Sequence, residues 1–399
     1  MTSATRPQLE PRISSFRQNG MRTDALVLSE PGGKFKYKKI TLRDNLLEPD
    51  ECLVRIKATG ICHTDLNFAS KDRGQPENFP CVLGHEGAGT VIKVGSWVED
   101  IAVGDEVIVT FTSCAQCRNC ETGFPGYCDR WFKYNLGFSR FDGTQTIEDP
   151  KSKKPLKGHF FGQSSFAREI IVCETALVVI PAPTPAYELL APLACGVMTG
   201  AGAMLNIVKP QPHQSVCVLG VGSVGLSAIM ALKTLARPPR RIIALDILSS
   251  RLELAKKYGA THGINTTYQK DLMPTLMEIT KGAGVDATID CVGLPKVVEQ
   301  IVHGTARRGR IVAVGVGLLT NAVSINTFEA VQAGLVYQGS LQGDSDPKRF
   351  LPWLLKMNQQ GKFPYDELIT TYHVEEVAEA IKDIKEGRTV KAVLLWDTH

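Results

Sequence analysis

Hydrophobic and polar positions fall into two textures along the chain. From Met21 to about Pro183, apolar residues come in short β-rich runs, at 25–28, 53–56, 89–94 and 106–109, separated by Gly, Pro and Asp. That spacing predicts an all-β module. Gly104-Asp105 predicts a turn feeding the last of these strands. After Cys195 the pattern changes. A fully apolar strand at 216–219 runs into the turn Gly220-Val221-Gly222-Ser223-Val224-Gly225 and a helical run to about Leu235. Strands at 242–245, 287–290 and 310–314 then alternate with helical segments at 250–258 and 295–303. Buried apolar strands alternating with helices predict a parallel sheet covered on both faces. From about Gly343 the pattern reads as helices plus a final strand at 391–396, a tail that returns to the first module.

The fold class expected is therefore α/β. A β-rich unit spans residues 21–196 and 342–399, and a doubly wound parallel-sheet unit spans 197–341. Residues 1–20 are polar, with two prolines and little periodicity, and read as a disordered extension. Their arginines, serines and single acid, Glu10, leave a transit peptide as the second reading.

Composition narrows the class. A chain of 399 residues, 43% hydrophobic and 22% charged, reads as an ordinary soluble enzyme with room for two cores. The net charge of +4 is dispersed, so no nucleic-acid partner is expected. No secretory h-region is seen, and no apolar run reaches the roughly 18 residues of a membrane span. Eleven cysteines, an odd number in a long chain, fit a cytoplasmic protein that keeps its thiols reduced.

Candidate chemistry begins with Cys114, Cys117, Cys120 and Cys128, spaced C-x2-C-x2-C-x7-C. Four thiolates so close can converge on one tetrahedral ion and leave no open position, the pattern of a structural zinc site. The competing reading is a set of disulfides. Gly220-x-Gly222-x-x-Gly225 follows a strand and opens a helix, and Asp246 ends the next strand. This is a dinucleotide fingerprint: Gly220 for the tight turn, Gly222 for approach of the pyrophosphate, Gly225 for close packing, with Val224 inside it. Asp246 can accept from ribose hydroxyls and would repel a 2′-phosphate, which favours NAD over NADP. Arg251 is a candidate for the adenosine ribose, or a solvated helix-start residue. Cys62, His85 and Cys195 form a second donor set. Two thiolates and one imidazole leave a fourth place for water or substrate, as in a catalytic zinc. By spacing alone each could equally be a core residue.

Taken together, these motifs resemble those of the zinc-dependent medium-chain alcohol dehydrogenases, over about Met21 to Trp396. Both cysteine-rich motifs, Gly84-His85-Glu86-Gly87-Ala88-Gly89, Gly104-Asp105-Glu106-Val107, the glycine fingerprint and Gly387-Arg388 carry the likeness. The resemblance implies a GroES-like barrel joined to a Rossmann unit. It implies zinc at two sites per chain and NAD as coenzyme. Cys62, His85 and Cys195 become the catalytic zinc ligands, with Glu86 able to approach the metal and Asp65 orienting His85. Thr64 becomes the hydroxyl that passes the substrate's proton towards the ribose. His63 and Arg388 become phosphate contacts. Phe111, Phe160, Phe161, Val316 and Leu341 become the substrate channel, Val316 also bordering the coenzyme. One departure stands out. Asn67 occupies the place where well-known members end the proton relay in a histidine, and an amide is no base near neutral pH. Either water or His63 would take over.

The segment from Phe160 to Ala167 resembles that of aryl- and benzyl-alcohol dehydrogenases, which implies aromatic, allylic or bulky primary alcohols and aldehydes. The long stretch between Cys128 and Phe160 is similar to that of dimeric members, so a homodimer is expected. Rival expectations are an NAD(P)H-dependent C=C or iminium reductase on the same fold, a binding protein without turnover, and a glutathione-adduct dehydrogenase with Arg130 and Lys133 at its mouth.

Overall fold

The computed structural model describes residues 20–269, 271–318 and 320–397. The extension expected at 1–20 lies, except for Gly20, outside them. Strand Ser215–Leu219 is buried at all five positions, as a central parallel strand must be. Its side chains alternate between two cores. Val216 and Val218 join the larger cluster, whereas Cys217 and Leu219 join a smaller one with Ile243, Leu245 and Ile311. Around it runs a six-stranded parallel sheet in the order His262–Asn265, Arg241–Asp246, Ser215–Leu219, Val285–Asp290, Thr305–Ala313 and Val336–Gly339. The order reverses at the first strand of the unit, the topological switch point at which doubly wound sheets take their ligands.

The other unit carries two sheets. A seven-stranded one places Glu51–Gly60 between Gly87–Val94 and Lys391–Leu395, and Glu169–Cys173 pairs with it too. The tail thus returns to the first module as its pattern predicts, with Val393 opposite Gly60. A five-stranded sheet is built on Met21–Leu28 and Lys36–Leu42. The second of these escapes a hydrophobic reading because four of its seven positions are exposed.

Helix Gly196–Gly202 follows Cys195 and is buried throughout. It packs against helix Ser223–Ala231 so closely that a Cβ on Gly200 would collide with the carbonyl oxygen of Val224. That contact brings Cys195 beside the glycine fingerprint. Among the described residues no single helix is long and apolar enough to cross a membrane. The pair Tyr187–Ala194 and Gly196–Val208 passes that test only together, across a 57° bend.

Candidate active site and metal centres

Cys62 caps helix His63–Ala69, the short helix that follows strand Glu51–Gly60. Its backbone N–H donates to Asp65 Oδ2 at 3.0 Å, and its Sγ accepts from the Thr64 N–H at 3.5 Å. The other oxygen of Asp65 accepts from the Gly84 N–H and faces His85 Nδ1, both at 3.0 Å. Asp65 is fully buried, so one carboxylate orients the thiol loop and the imidazole together. His85 Nε2 is buried and, among the described residues, has no partner but the Cys62 thiol. An imidazole fixed by its far side and facing only a thiol on the near side is suited to a metal.

Cys62, His85, Glu86 and Cys195 each offer a donor atom within 4.8 Å of the others. The Cys195 thiol donates to Cys62 and, with His85 and Lys391, holds the Cys62 thiol well below its usual range. Cys62 is thereby poised as a thiolate, its hydrogen bond to Cys195 holds the Cys195 thiol well above its usual range, and two sulfurs with one imidazole fit zinc, whose binding releases the remaining protons. Cys114, Cys117, Cys120 and Cys128 converge in the same way. Their Sγ–Sγ separations of 3.5 and 4.0 Å bracket the roughly 3.8 Å edge that Zn–S bonds of about 2.3 Å impose on a tetrahedron. All are free thiols, not disulfides.

Glu86 sits behind the first donor set, fully buried. Its carboxylate pairs with Lys391, and Oε1 accepts from the Gly196 N–H at 3.4 Å. Burial pushes it up to about 7, against the pull of Lys391. A Cβ on Gly60 would strike its Oε2, so Gly60 shapes this cradle. Lys391 is 2% exposed and opens the strand that lies between Glu51–Gly60 and Ile369–His373 in the seven-stranded sheet. The sequence reading missed it, because a lysine at the head of an apolar run reads as a solvated boundary residue. Arg388 was expected elsewhere, as a phosphate contact of the coenzyme. Arg388 lies at the surface, its side chain 52% exposed and paired with Asp383 and Glu386.

The glycine fingerprint behaves as its residue types require. Gly220 has φ 79°, and a Cβ on Gly225 would meet the Gly220 carbonyl oxygen. A Cβ on Gly222 would meet nothing within 4 Å, so open space lies where a pyrophosphate would approach. No side chain caps the helix that Gly222 begins, and its N–H groups are free for phosphate. Val224 flanks Gly196, 3.7 Å from a Cβ there. Asp246 accepts from the N–H groups of Val221 at 2.8 Å and Leu248 at 2.9 Å. It therefore braces the turn while keeping lone pairs for a ribose. Arg251 is not the solvated residue its position allowed. It is 7% exposed, and its guanidinium donates to the Thr389 carbonyl at 2.6 Å. His63 is exposed at the first turn of its helix.

The channel candidates divide. Phe161 stacks on the His85 ring at 4.5 Å, with Trp131 edge-on to it. Phe160 is 0% exposed among Phe68, Phe138, His85 and Phe161, and Phe111 lies in the main core. Val316 and Leu341 line a cavity of about 600 Å³ at the carboxyl ends of the parallel strands. Arg130 and Lys133 lie over the Phe141 ring at 5.3 and 4.1 Å.

This geometry has close counterparts. Residues 48–182 match the alcohol dehydrogenase GroES-like domain, and residues 223–356 match the zinc-binding dehydrogenase domain. A geraniol dehydrogenase of Castellaniella defragrans is 34% identical over 380 residues, covering 95% of this chain and 99% of its own. Among solved structures, an alcohol dehydrogenase zinc-binding domain protein of Burkholderia ambifaria superposes with a TM-score of 0.88 at 37% identity, covering 95% of this chain and 100% of its own. The benzyl alcohol dehydrogenase of Acinetobacter calcoaceticus does so with 0.87 at 36%, covering 94% and 99%. The chain belongs to the zinc-dependent medium-chain alcohol dehydrogenase family: it is an NAD-dependent zinc enzyme that moves a hydride between an alcohol and its coenzyme.

Proposed function

We propose that the protein interconverts primary alcohols and aldehydes of aromatic, allylic or otherwise bulky character, using NAD in preference to NADP. One observation carries the reading: Cys62, His85 and Cys195 meet in a buried pocket, and the helix after Cys195 packs on the helix that bears the glycine fingerprint. Metal donors and coenzyme cradle are thereby adjacent. Zinc held by Cys62, His85 and Cys195 would supply Lewis acidity that lowers the pKa of an alcohol.

The remaining roles belong to the protein's own side chains. Asp65 holds His85 in the tautomer that leaves Nε2 free. Thr64, on the first turn beside Cys62, passes the alcohol proton outwards, and His63 at the same exposed turn faces the coenzyme phosphates. Asn67 cannot take up a proton near neutral pH, so the relay ends in water. Glu86, poised near 7 against Lys391, holds negative charge behind the donors. Phe161, stacked on His85, shields the imidazole from water and offers an aromatic face to an aromatic or allylic substrate. The likeness to a geraniol dehydrogenase and a benzyl alcohol dehydrogenase supports that substrate class. Asp246 supports NAD, since its carboxylate would repel a 2′-phosphate.

We read residues 21–196 with 342–399 as the catalytic unit, 197–341 as the coenzyme unit, and Cys114, Cys117, Cys120 and Cys128 as the structural zinc ligands. The protein works in the cytoplasm as a homodimer. The free edge strand Val336–Gly339, with Val336 and Tyr337 exposed at 39 and 40%, supports the second of these. The test is NADH formation across aliphatic, allylic and benzylic alcohols, with NADP in parallel and Cys62→Ser as control. Turnover strongest on benzylic and allylic alcohols with NAD, and lost in the control, is expected. Silence from zinc-loaded protein that binds NADH would refute the reading.

A further inference from the structure

Beyond the metal donors, the loop that leaves the edge strand Val336–Gly339 has a constrained backbone. Gln342, Gly343 and Asp344 have consecutive positive φ values of 55, 66 and 49°. Two of the three carry side chains, which adopt this region seldom. Such a conformation persists where the surroundings impose it, and here two neighbours do.

From one side come the buried helices after Cys195. Asn206 Nδ2 donates to the Gly343 carbonyl at 3.0 Å and to Ser345 Oγ at 3.1 Å. A Cβ on Gly343 would lie 2.7 Å from the Thr199 carbonyl oxygen. From the other side comes the four-cysteine lobe. Tyr127, the residue before Cys128, donates its hydroxyl to Asp344 Oδ1 at 2.6 Å and accepts from the Leu341 N–H at 3.0 Å. Its neighbour Gly126 touches the same loop: a Cβ there would lie 3.2 Å from the Leu341 carbonyl oxygen. Tyr127 is itself held in the lobe, for Asn119 Nδ2 donates to its carbonyl at 2.8 Å.

Ser340 and Leu341 wall the cavity of about 600 Å³ at the carboxyl ends of strands Val285–Asp290, Thr305–Ala313 and Val336–Gly339, and Tyr127 lines it with them. That crevice is where a doubly wound sheet lays its dinucleotide. We propose that Tyr127 is a positioning residue for the coenzyme, whose hydroxyl clamps the loop from Leu341 to Asp344 and so lets the four-cysteine zinc lobe set one wall of the coenzyme cleft. The inference rests on the reading of that cleft as the NAD site. Tyr127 acts through Leu341 and Asp344 and needs no contact with the reacting atoms.

The test is NADH binding by fluorescence, without alcohol, to zinc-replete wild type, Tyr127→Phe and Asp344→Asn. Tyr127→Phe keeps the ring and removes both hydrogen bonds. It is expected to weaken NADH binding by about five- to tenfold and to raise the KM for NAD in step, with kcat within about twofold. Zinc content and Tm should match the wild type. Asp344→Asn tolerates positive φ and keeps an acceptor oxygen but removes its charge, so it should weaken NADH binding in the same direction as Tyr127→Phe and by less. Equal affinity in wild type and Tyr127→Phe overturns the proposal. So does a loss of affinity that comes only with lost zinc or a lowered Tm, which would make Tyr127 a folding residue. A wild type that fails to bind NADH overturns the NAD reading and this inference with it, which keeps the two failures apart.

Discussion

Asp65 and Glu86 are both buried carboxylates, yet they meet their need for partners differently. Asp65 faces two backbone N–H groups and an imidazole. Asp65→Ala should therefore leave His85 free to turn and weaken zinc at that site by about 10- to 100-fold, read by competition with a chromogenic chelator. Glu86 relies on one cation. Lys391→Met should strand a buried charge and cost about 3–5 kcal/mol in urea unfolding, whereas adding Glu86→Gln should recover much of that loss. At this scale the sequence was uneven. Cys62, His85 and Cys195 could be singled out only through the family resemblance, since by spacing alone each could equally be a core residue. Lys391 could not, since its burial depends on a strand pairing rather than on its neighbours. Tyr127 could not either, because its partner Asp344 lies 217 residues away.

Close approach between elements does what no side chain could. Helices Gly196–Gly202 and Ser223–Ala231 touch through Gly200, and this contact ties the thiol of Cys195 to the phosphate cradle. Gly200→Val should push the helices apart and destabilise the protein by about 1–3 kcal/mol. NADH affinity should fall with it, which calorimetry on the same samples would show. The four inner strands of the parallel sheet and the helices expected at 223–235, 250–258 and 295–303 were legible because buried parallel strands are apolar throughout, whereas the edge strands His262–Asn265 and Val336–Gly339 and the helices Met273–Thr280 and Thr327–Ala333 were not read. The strand Thr305–Ala313 begins earlier than its apolar run, since Arg307 and Arg308 mask its first half. Aromatic roles were less legible. Phe160 and Phe161 are adjacent in sequence and alike in chemistry. Only φ of 55° at Phe161 separates the ring that covers His85 from the ring that fills the core.

For the whole molecule, two buried groups pull stability in opposite directions as pH falls. His159 Nε2 lies 2.9 Å from Thr146 Oγ1, and burial lowers its pKa from 6.5 to about 3. The unfolded chain thus takes up a proton as pH falls through 6.5, and the folded chain does not until about 3. His159 therefore contributes a loss of about 2 kcal/mol between pH 6.5 and pH 5, whereas Glu86, pushed up to about 7, takes up its proton first in the folded chain and offsets that loss. In urea unfolding at pH 7 and pH 5, His159→Asn should therefore gain stability relative to wild type on going to pH 5, and Glu86→Gln should lose it. The same molecule is joined across great lengths of chain. Strand Lys391–Leu395 fills an interior place in the seven-stranded sheet, and its lysine reaches Ile61, which lies 330 residues earlier. Until that strand arrives, Glu86 has no cation, Gly60 no partner across the sheet, and the pocket behind the metal no back wall. The site is therefore unfinished for most of the time the polypeptide is being made. A ribosome must thread the whole coenzyme unit before the pocket can close, and zinc captured earlier would sit in a half-built socket open to water.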